Sequence, residues 1–234
     1  MTNIPKHIVL FPDGNRRWAK QKNLPTLEGH KKGYEKLLDF AEWCKNKGIK
    51  ALTAYGFSTE NWNRSPEEVD YLMKLLENGL IKNFSKYQNE NKYQKLGIKV
   101  KIIGQKERLP NSLQKAIKKV EEATKNNKNL FLNLAISYGG RWDIVNAAKK
   151  IIEDKIPPEK IDEKLFEDYL STADLPSPDL IIRAGGEMRM SNFVLWQGAY
   201  SELYFSKKLW PEFTEQDLDE TLAEFDRRQR RFGK

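Results

Sequence analysis

Three short stretches of the sequence combine the residue types that hold phosphate groups and hard metal ions. The first, Asp13-Gly14-Asn15-Arg16-Arg17, offers a carboxylate, a glycine that permits close backbone approach, an amide and two guanidinium forks. If Asn15 to Arg17 open a helix, its outward-pointing amides form a phosphate cradle, and Asp13 becomes a ligand for a Mg2+ carried by that phosphate. The plainer alternative is a turn and a helix cap, since Asp, Gly and Asn all favour turns. The second stretch, Ser58-Thr59-Glu60-Asn61-Trp62-Asn63-Arg64, gathers an acid, amides, an indole and a guanidinium. Trp62 taken alone reads as a core residue. The third, Arg183-Ala184-Gly185-Gly186-Glu187-Met188-Arg189-Met190-Ser191-Asn192, sets Arg183, Arg189 and Ser191 around two glycines, which suits a second phosphate group better than a surface loop. His30, in Glu28-Gly29-His30, is either a helix-start residue or a donor of a hydrogen bond or proton to a diphosphate.

Elements must aim these groups. Short β-rich runs at 7–11, 51–57, 100–104, 130–137, 180–184 and 202–205 alternate with helical patterns. The alternation predicts one α/β domain over residues 1–234, with a mostly parallel six-stranded sheet flanked by helices. The three polar stretches follow the first, second and fifth runs, and in such a sheet ligands bind at the strands' carboxyl ends. Tyr34, Leu37, Leu38, Ala41 and Cys44 keep helical spacing before a stop at Gly48. Ser65, Pro66 and Glu68 read as cap, first residue and capping-box partner of the next helix. Its apolar stripe, Val69, Leu72, Met73, Leu76 and Leu80, serves equally as core or as the wall of a lipid-binding tunnel. Further helices are expected at 111–125, 142–153, 159–170 and 215–230.

Composition narrows the chemistry. One cysteine, Cys44, excludes an internal disulfide, and two histidines leave too few soft ligands for zinc. Any metal is therefore expected to be a hard one held by oxygen. Hydrophobic residues make up 39% and charged residues 32%, and no apolar run reaches the roughly 18 residues of a membrane span. The apolar segment at 7–11 is too short for a secretory signal, so the expected location is cytoplasmic, with peripheral membrane contact left open. A net charge of +8 invites anionic partners but does not choose among them.

Taken in order, residues 13–19, Gly29-His30, residues 57–64, Tyr138-Gly139-Gly140-Arg141, residues 183–192, Glu202-Leu203-Tyr204-Phe205, Trp210-Pro211 and Arg231-Phe232-Gly233 resemble the signature segments of cis-prenyltransferases of the undecaprenyl diphosphate synthase type. The resemblance covers nearly the whole chain. It implies a Mg2+-dependent enzyme that condenses isopentenyl diphosphate with an allylic diphosphate, farnesyl or geranylgeranyl diphosphate, giving a Z-polyprenyl diphosphate used as a lipid-carrier precursor. It also implies a hydrophobic tunnel for the growing chain. Asp13 is similar to the residue that binds Mg2+ and supports allylic ionisation, with Glu202 the second metal-placing carboxylate. Gly14, Asn15, Arg16, Arg17, Trp18, His30 and Arg64 fall at or beside allylic diphosphate positions. Asn61 matches a residue implicated in proton loss, with Ser58, Glu60 and Trp62 nearby. Arg183, Arg189 and Ser191 match the isopentenyl diphosphate site. Arg231 and Gly233 belong to a tail motif that reaches a partner's site, which implies a homodimer, and release of a long product implies transient membrane contact.

Three positions depart from the family's pattern. Thr26 stands where a diphosphate-binding arginine is common, Arg16 where glycine is frequent, and Ile136 where a small residue is frequent. Arg16 is expected to replace part of the charge missing at Thr26, and Ile136 to narrow the tunnel. Two rival readings are a noncatalytic partner subunit, which such relatives reach by losing the motif intact here, and a basic nucleic-acid-binding module, for which no groove-reading or RNA-binding motif is present.

Overall fold

A computed structural model describes residues 3–85 and 92–228 of the chain. The β-rich runs form β1 (His7–Phe11), β2 (Ala51–Ser58), β3 (Ile98–Ile103), β4 (Leu130–Tyr138), β5 (Leu180–Arg183) and β6 (Glu202–Phe205). They build one six-stranded sheet in the order β3-β4-β2-β1-β5-β6, and every adjacent pair is parallel. A parallel sheet covered on both faces calls for continuous apolar strands, and β1 and β5 are buried at every residue.

The helices are α1 (Asn15–Gln21), α2 (Thr26–Asn46), α3 (Pro66–Ser85), α4 (Lys92–Leu96), α5 (Asn111–Thr124), α6 (Gly140–Glu153), α7 (Glu163–Tyr169) and α8 (Glu215–Arg227). The helix expected over 159–170 is interrupted: Pro158–Lys160 forms a single 3-10 turn, and Asp162 then caps α7 through the Leu165 amide at 2.8 Å. Ser65 does cap α3, its hydroxyl accepting from the Glu68 amide at 3.3 Å. The reciprocal half of the expected capping box is replaced by tertiary contacts, because the Glu68 carboxylate accepts from Arg64 at 3.0 Å and meets His30 at 3.2 Å.

Alternation of side chains gives each face of the sheet its own core. Ile8, Leu10, Leu52, Leu132 and Ile182 pack toward Phe40, Trp210, Phe213 and Phe225, while Val9, Phe11, Ala135 and Ile181 pack with Phe193 and Val194. Near their carboxyl ends β2 and β4 each carry one extra residue. Tyr55 pairs with Ala135 but Phe57 with Ile136, leaving Gly56 over, and Ser58 then pairs with Tyr138, leaving Ser137 over at φ 53°. Beyond these bulges the alternation changes phase. Phe57 joins the first core and Tyr138 the second.

Candidate active site

The three polar stretches meet. They follow β1, β2 and β5, which are neighbours in the sheet, and they line one cavity of about 820 Å3 at its carboxyl edge. Among its lining residues Asp13, Arg17, Arg183 and Ser191 are linked to one another, Arg16, His30 and Arg64 gather at Glu68, and Asn61 also faces the cavity. Leu37, Leu72, Leu75, Leu76 and Leu134 form an apolar interior. The stripe on α3 thus does both jobs left open by the sequence: Leu72 and Leu76 belong to the core and also wall the cavity.

Asp13 is held from three directions. Its Oδ1 accepts the Gly14 amide at 2.6 Å and lies 3.5 Å from an Arg17 nitrogen, and its Oδ2 accepts from Arg183 Nη2 at 2.8 Å. Gly14 sits at φ 102°, a left-handed conformation that a side chain would strain, and a β-carbon there would press Leu209 Cδ2 at 2.8 Å. Arg183, at the end of β5, leaves only 5% of its side chain exposed. Its Nη1 donates to Ser191 Oγ at 2.7 Å and to the Arg189 carbonyl, its guanidinium lies 5.1 Å from the Phe11 ring centre, and its buried Nε has no hydrogen-bond partner among the described residues. The loop around it bends through left-handed residues, Gly185, Gly186, Ser191 and Asn192.

Ser58 and Asn61 cap the 3-10 turn Thr59–Asn63 reciprocally, the Asn61 amide donating to Ser58 Oγ at 3.2 Å and the Ser58 amide to Asn61 Oδ1 at 3.1 Å. Both face the cavity. Glu60 reaches across to the third stretch, accepting from Asn192 Nδ2 at 2.7 Å. Burial pushes the Glu60 carboxyl up, but the bonds from Asn192 and neighbouring donors outweigh it and hold the group below the ordinary value. Trp62 is outside the cavity lining: its indole donates to Ser137 Oγ at 2.9 Å and packs edge-on against Phe57.

Glu68 joins two guanidinium groups and an imidazole from separate elements. Besides Arg64 and His30 it lies 3.9 Å from Arg16, and its side chain is 13% exposed. Burial and the nearby Arg64 charge lower the His30 pKa, with Glu68 opposing them, so His30 is neutral at neutral pH. An acid at the third helical position carries the pattern of a helix cap, and nothing in that pattern signals this second use of Glu68. Asn192, the last residue of the third polar stretch, holds the start of α6 with its carbonyl and side chain, accepting from the Gly140 amide at 2.6 Å and the Arg141 amide at 2.9 Å.

Other expected residues stand apart from this centre. Glu202 is the first residue of β6 and pairs with Leu180, whereas Phe205 pairs with Arg183, so Glu202 lies at the opposite end of the sheet from Asp13. It is bonded to Arg228 at 3.0 Å. Trp18 is half-buried on α1, outside the cavity lining, and the Arg189 side chain is exposed beside Glu187. Ile136 does not narrow the cavity: it is fully buried in the core, and Leu134, one step back on the same face of β4, is the residue that lines it. Thr26 is the first residue of α2. Arg231 and Gly233 lie outside the described residues.

Known proteins match this chain along its length. A family model described as putative undecaprenyl diphosphate synthase matches residues 11–233. An isoprenyl transferase of Aquifex aeolicus is 46% identical over 231 residues, covering 99% of this chain and 96% of its own. A tritrans,polycis-undecaprenyl-diphosphate synthase (geranylgeranyl-diphosphate specific) of Thermoplasma volcanium is 48% identical, covering 98% and 89%. Among solved structures, lavandulyl diphosphate synthase from Lavandula x intermedia, in complex with dimethylallyl diphosphate, superposes with a TM-score of 0.90 at 41% identity over 99% of both chains.

Proposed function

The chain belongs to the undecaprenyl diphosphate synthase family of cis-prenyltransferases, and from that premise we propose how its own residues carry out prenyl elongation. It condenses isopentenyl diphosphate with an allylic diphosphate of the farnesyl or geranylgeranyl class to give a Z-polyprenyl diphosphate. One observation carries the assignment of parts: a single cavity is lined by Arg16, His30 and Arg64, gathered at Glu68, by Arg183 and Ser191, linked to Asp13 and through it to Arg17, and by an interior of leucines. Arg16, Arg17, His30 and Arg64, with the backbone of Gly14 and Asn15, hold the allylic diphosphate. Arg183 and Ser191 hold isopentenyl diphosphate, and Arg189 closes over it from the loop surface. The prenyl chain extends into the apolar interior, which serves as the tunnel.

Asp13 fits a role as ligand to Mg2+. Its carboxylate is 35% exposed at the mouth, and no group of three His, Cys, Asp or Glu among the described residues gathers into a metal site. That donor set suits an ion that keeps waters and takes most ligands from substrate phosphates, as Mg2+ does. A Mg2+ held by Asp13 would supply stabilisation of negative charge on the departing diphosphate. Glu202 of the same chain is not part of this group. Arginines fixed before the reaction add to the stabilisation at no reorganisation cost, as preorganised donors do. The allylic carbon–oxygen bond breaks, the isopentenyl double bond supplies the electrons for the new carbon–carbon bond, and a proton leaves the product carbon. Asn61, locked by Ser58, borders the reacting carbons with Glu60 beside it.

Exposed apolar side chains support a homodimer. Val145 and Ile152 on α6 and Met188, Leu195, Tyr200 and Leu203 in the segment from β5 to β6 are all exposed, and Leu195 abuts Gly140 at the start of α6. No helix among the described residues is long and apolar enough to cross a membrane, so product release would take place by peripheral contact. The test is direct. Purified protein with farnesyl or geranylgeranyl diphosphate, labelled isopentenyl diphosphate and Mg2+ should give labelled, longer diphosphates; no elongation of any allylic starter, geranyl and dimethylallyl diphosphate included, refutes the proposal.

A further inference from the structure

We infer that Tyr34 closes the inner end of the cavity and so sets the length of the product; this rests on the elongation reading above. The growing chain enters at the mouth and can lengthen only as far as the cavity runs. Along α3 the cavity wall passes from the polar end at Glu68 through Leu72, Leu75 and Leu76. The next turn brings Gly79, about 16 Å beyond Glu68 at the helical rise per residue. Gly79 is where the Tyr34 ring from α2 lies directly on the α3 backbone: a β-carbon at Gly79 would collide with Tyr34 Cζ, Cε1 and the hydroxyl oxygen. Tyr34 itself lines the cavity, and its hydroxyl lies 3.5 Å from that of Tyr93, which is fully buried in the core. The ring therefore bridges α2 and α3 where the α3 part of the leucine wall ends, with the fully buried Tyr93 behind its hydroxyl. Its rigid face ends an apolar passage, and its polar tip is turned to another hydroxyl, not to hydrocarbon.

Gly79 is the reason the ring fits. Any side chain there must displace the phenol, and with Tyr93 behind it the displacement is toward the cavity. Three substitutions read the arrangement through product length, measured by sizing the dephosphorylated products from one starter. Tyr34→Ala should lengthen the products by one or more five-carbon units, Gly79→Ala should shorten them, and Tyr34→Phe, which keeps the ring, should leave the distribution as in the unmodified protein. If the unmodified protein elongates and Tyr34→Ala gives the same lengths, the inference falls while the enzymatic reading stands. If Tyr34→Ala does not fold, Gly79→Ala decides: shorter products support the inference, and unchanged ones overturn it. Failure of the unmodified protein to elongate any starter overturns both.

Discussion

Replacing Arg183 with lysine keeps the charge and removes the fork, which makes it the most discriminating change available at the site. Arg183 uses Nη2 for Asp13 and Nη1 for both Ser191 Oγ and the Arg189 carbonyl. A lysine has one nitrogen and can satisfy one side of that arrangement. Hydrogen bonds to charged groups contribute about 1.5–3 kcal/mol each, and water entering at the mouth offsets part of what is lost, so Arg183→Lys should cost about 2–3 kcal/mol. For a chain of this size that lowers the Tm by about 4–12 °C. The kcat/KM for isopentenyl diphosphate at saturating allylic substrate should fall ~30- to 140-fold for a comparable loss in the transition state, since each ~1.4 kcal/mol of lost transition-state stabilisation is tenfold. The assay pairs thermal unfolding without substrates with steady-state kinetics, repeated for Asp13→Asn and the double variant. If the Asp13–Arg183 contact is as close as 2.8 Å implies, the unfolding cycle should show a coupling of about 1 kcal/mol or more. Additive effects in the cycle, together with a Tm lowered by less than about 1 °C, would refute the reasoning from the fork geometry.

Other outcomes follow from single contacts. Burial holds the His7 pKa below the ordinary value, with the Pro176 carbonyl and Asp179 only partly opposing it. The unfolded chain then binds the extra proton, so stability is full above about pH 6.5 and falls as pH drops below it, by up to ~1.4 kcal/mol per pH unit for this group until His7 protonates in the folded state. Urea midpoints on either side of that pH should differ, and His7→Gln should flatten the difference; an equally steep dependence in the variant counts against it. Chelation of divalent ions should abolish elongation yet leave the Tm of the substrate-free protein unchanged, because a resident ion would show itself as stabilisation. A clear Tm loss on chelation would mean a metal site that is complete without substrate. Arg16 is 60% exposed at the mouth, 3.9 Å from Glu68. Arg16→Gly should raise KM for the allylic diphosphate and not for isopentenyl diphosphate, and an unchanged allylic affinity would show that Arg16 does not compensate for Thr26.

The strands were legible because burial on both faces leaves little choice but Ile, Val and Leu, as in His7–Phe11. The meeting of three polar stretches was legible because parallel strands put every following loop at one edge. What was hidden depended on tertiary direction. Glu68 carries the local pattern of a capping box, and only the approach of His30 on α2 and Arg64 before α3 shows that its carboxylate is used elsewhere. Tyr34 kept helical spacing with core residues such as Leu37 and Cys44, and nothing local marks its ring as reaching a glycine on another helix. Ile136 was placed at the tunnel by the family's pattern, and the residue type usual at a strand position does not say how far along the buried face the cavity extends in this chain. Glu202 was grouped with Asp13 by resemblance, but a residue at a strand's first position falls at the wrong end of the sheet for that role within one chain.

The two extra residues at Gly56 and Ser137 make the lengths of β2 and β4 interdependent. Removing Gly56 alone would keep Phe57 on its present face opposite Ile136 but leave β2 one residue shorter than β4 beyond Tyr55 and Ala135, so that in regular pairing Ser58 would meet Ser137 and not Tyr138, shifting the turn that holds Asn61 relative to the mouth. Removing Ser137 alone would misplace Tyr138 in the same way. A chain shortened at both positions could pair again, with the catalytic edge one residue lower. Insertions and deletions at these two sites should therefore be tolerated only in pairs, so two positions some eighty residues apart in the chain behave as one adjustable joint between the rigid sheet and the loop it aims.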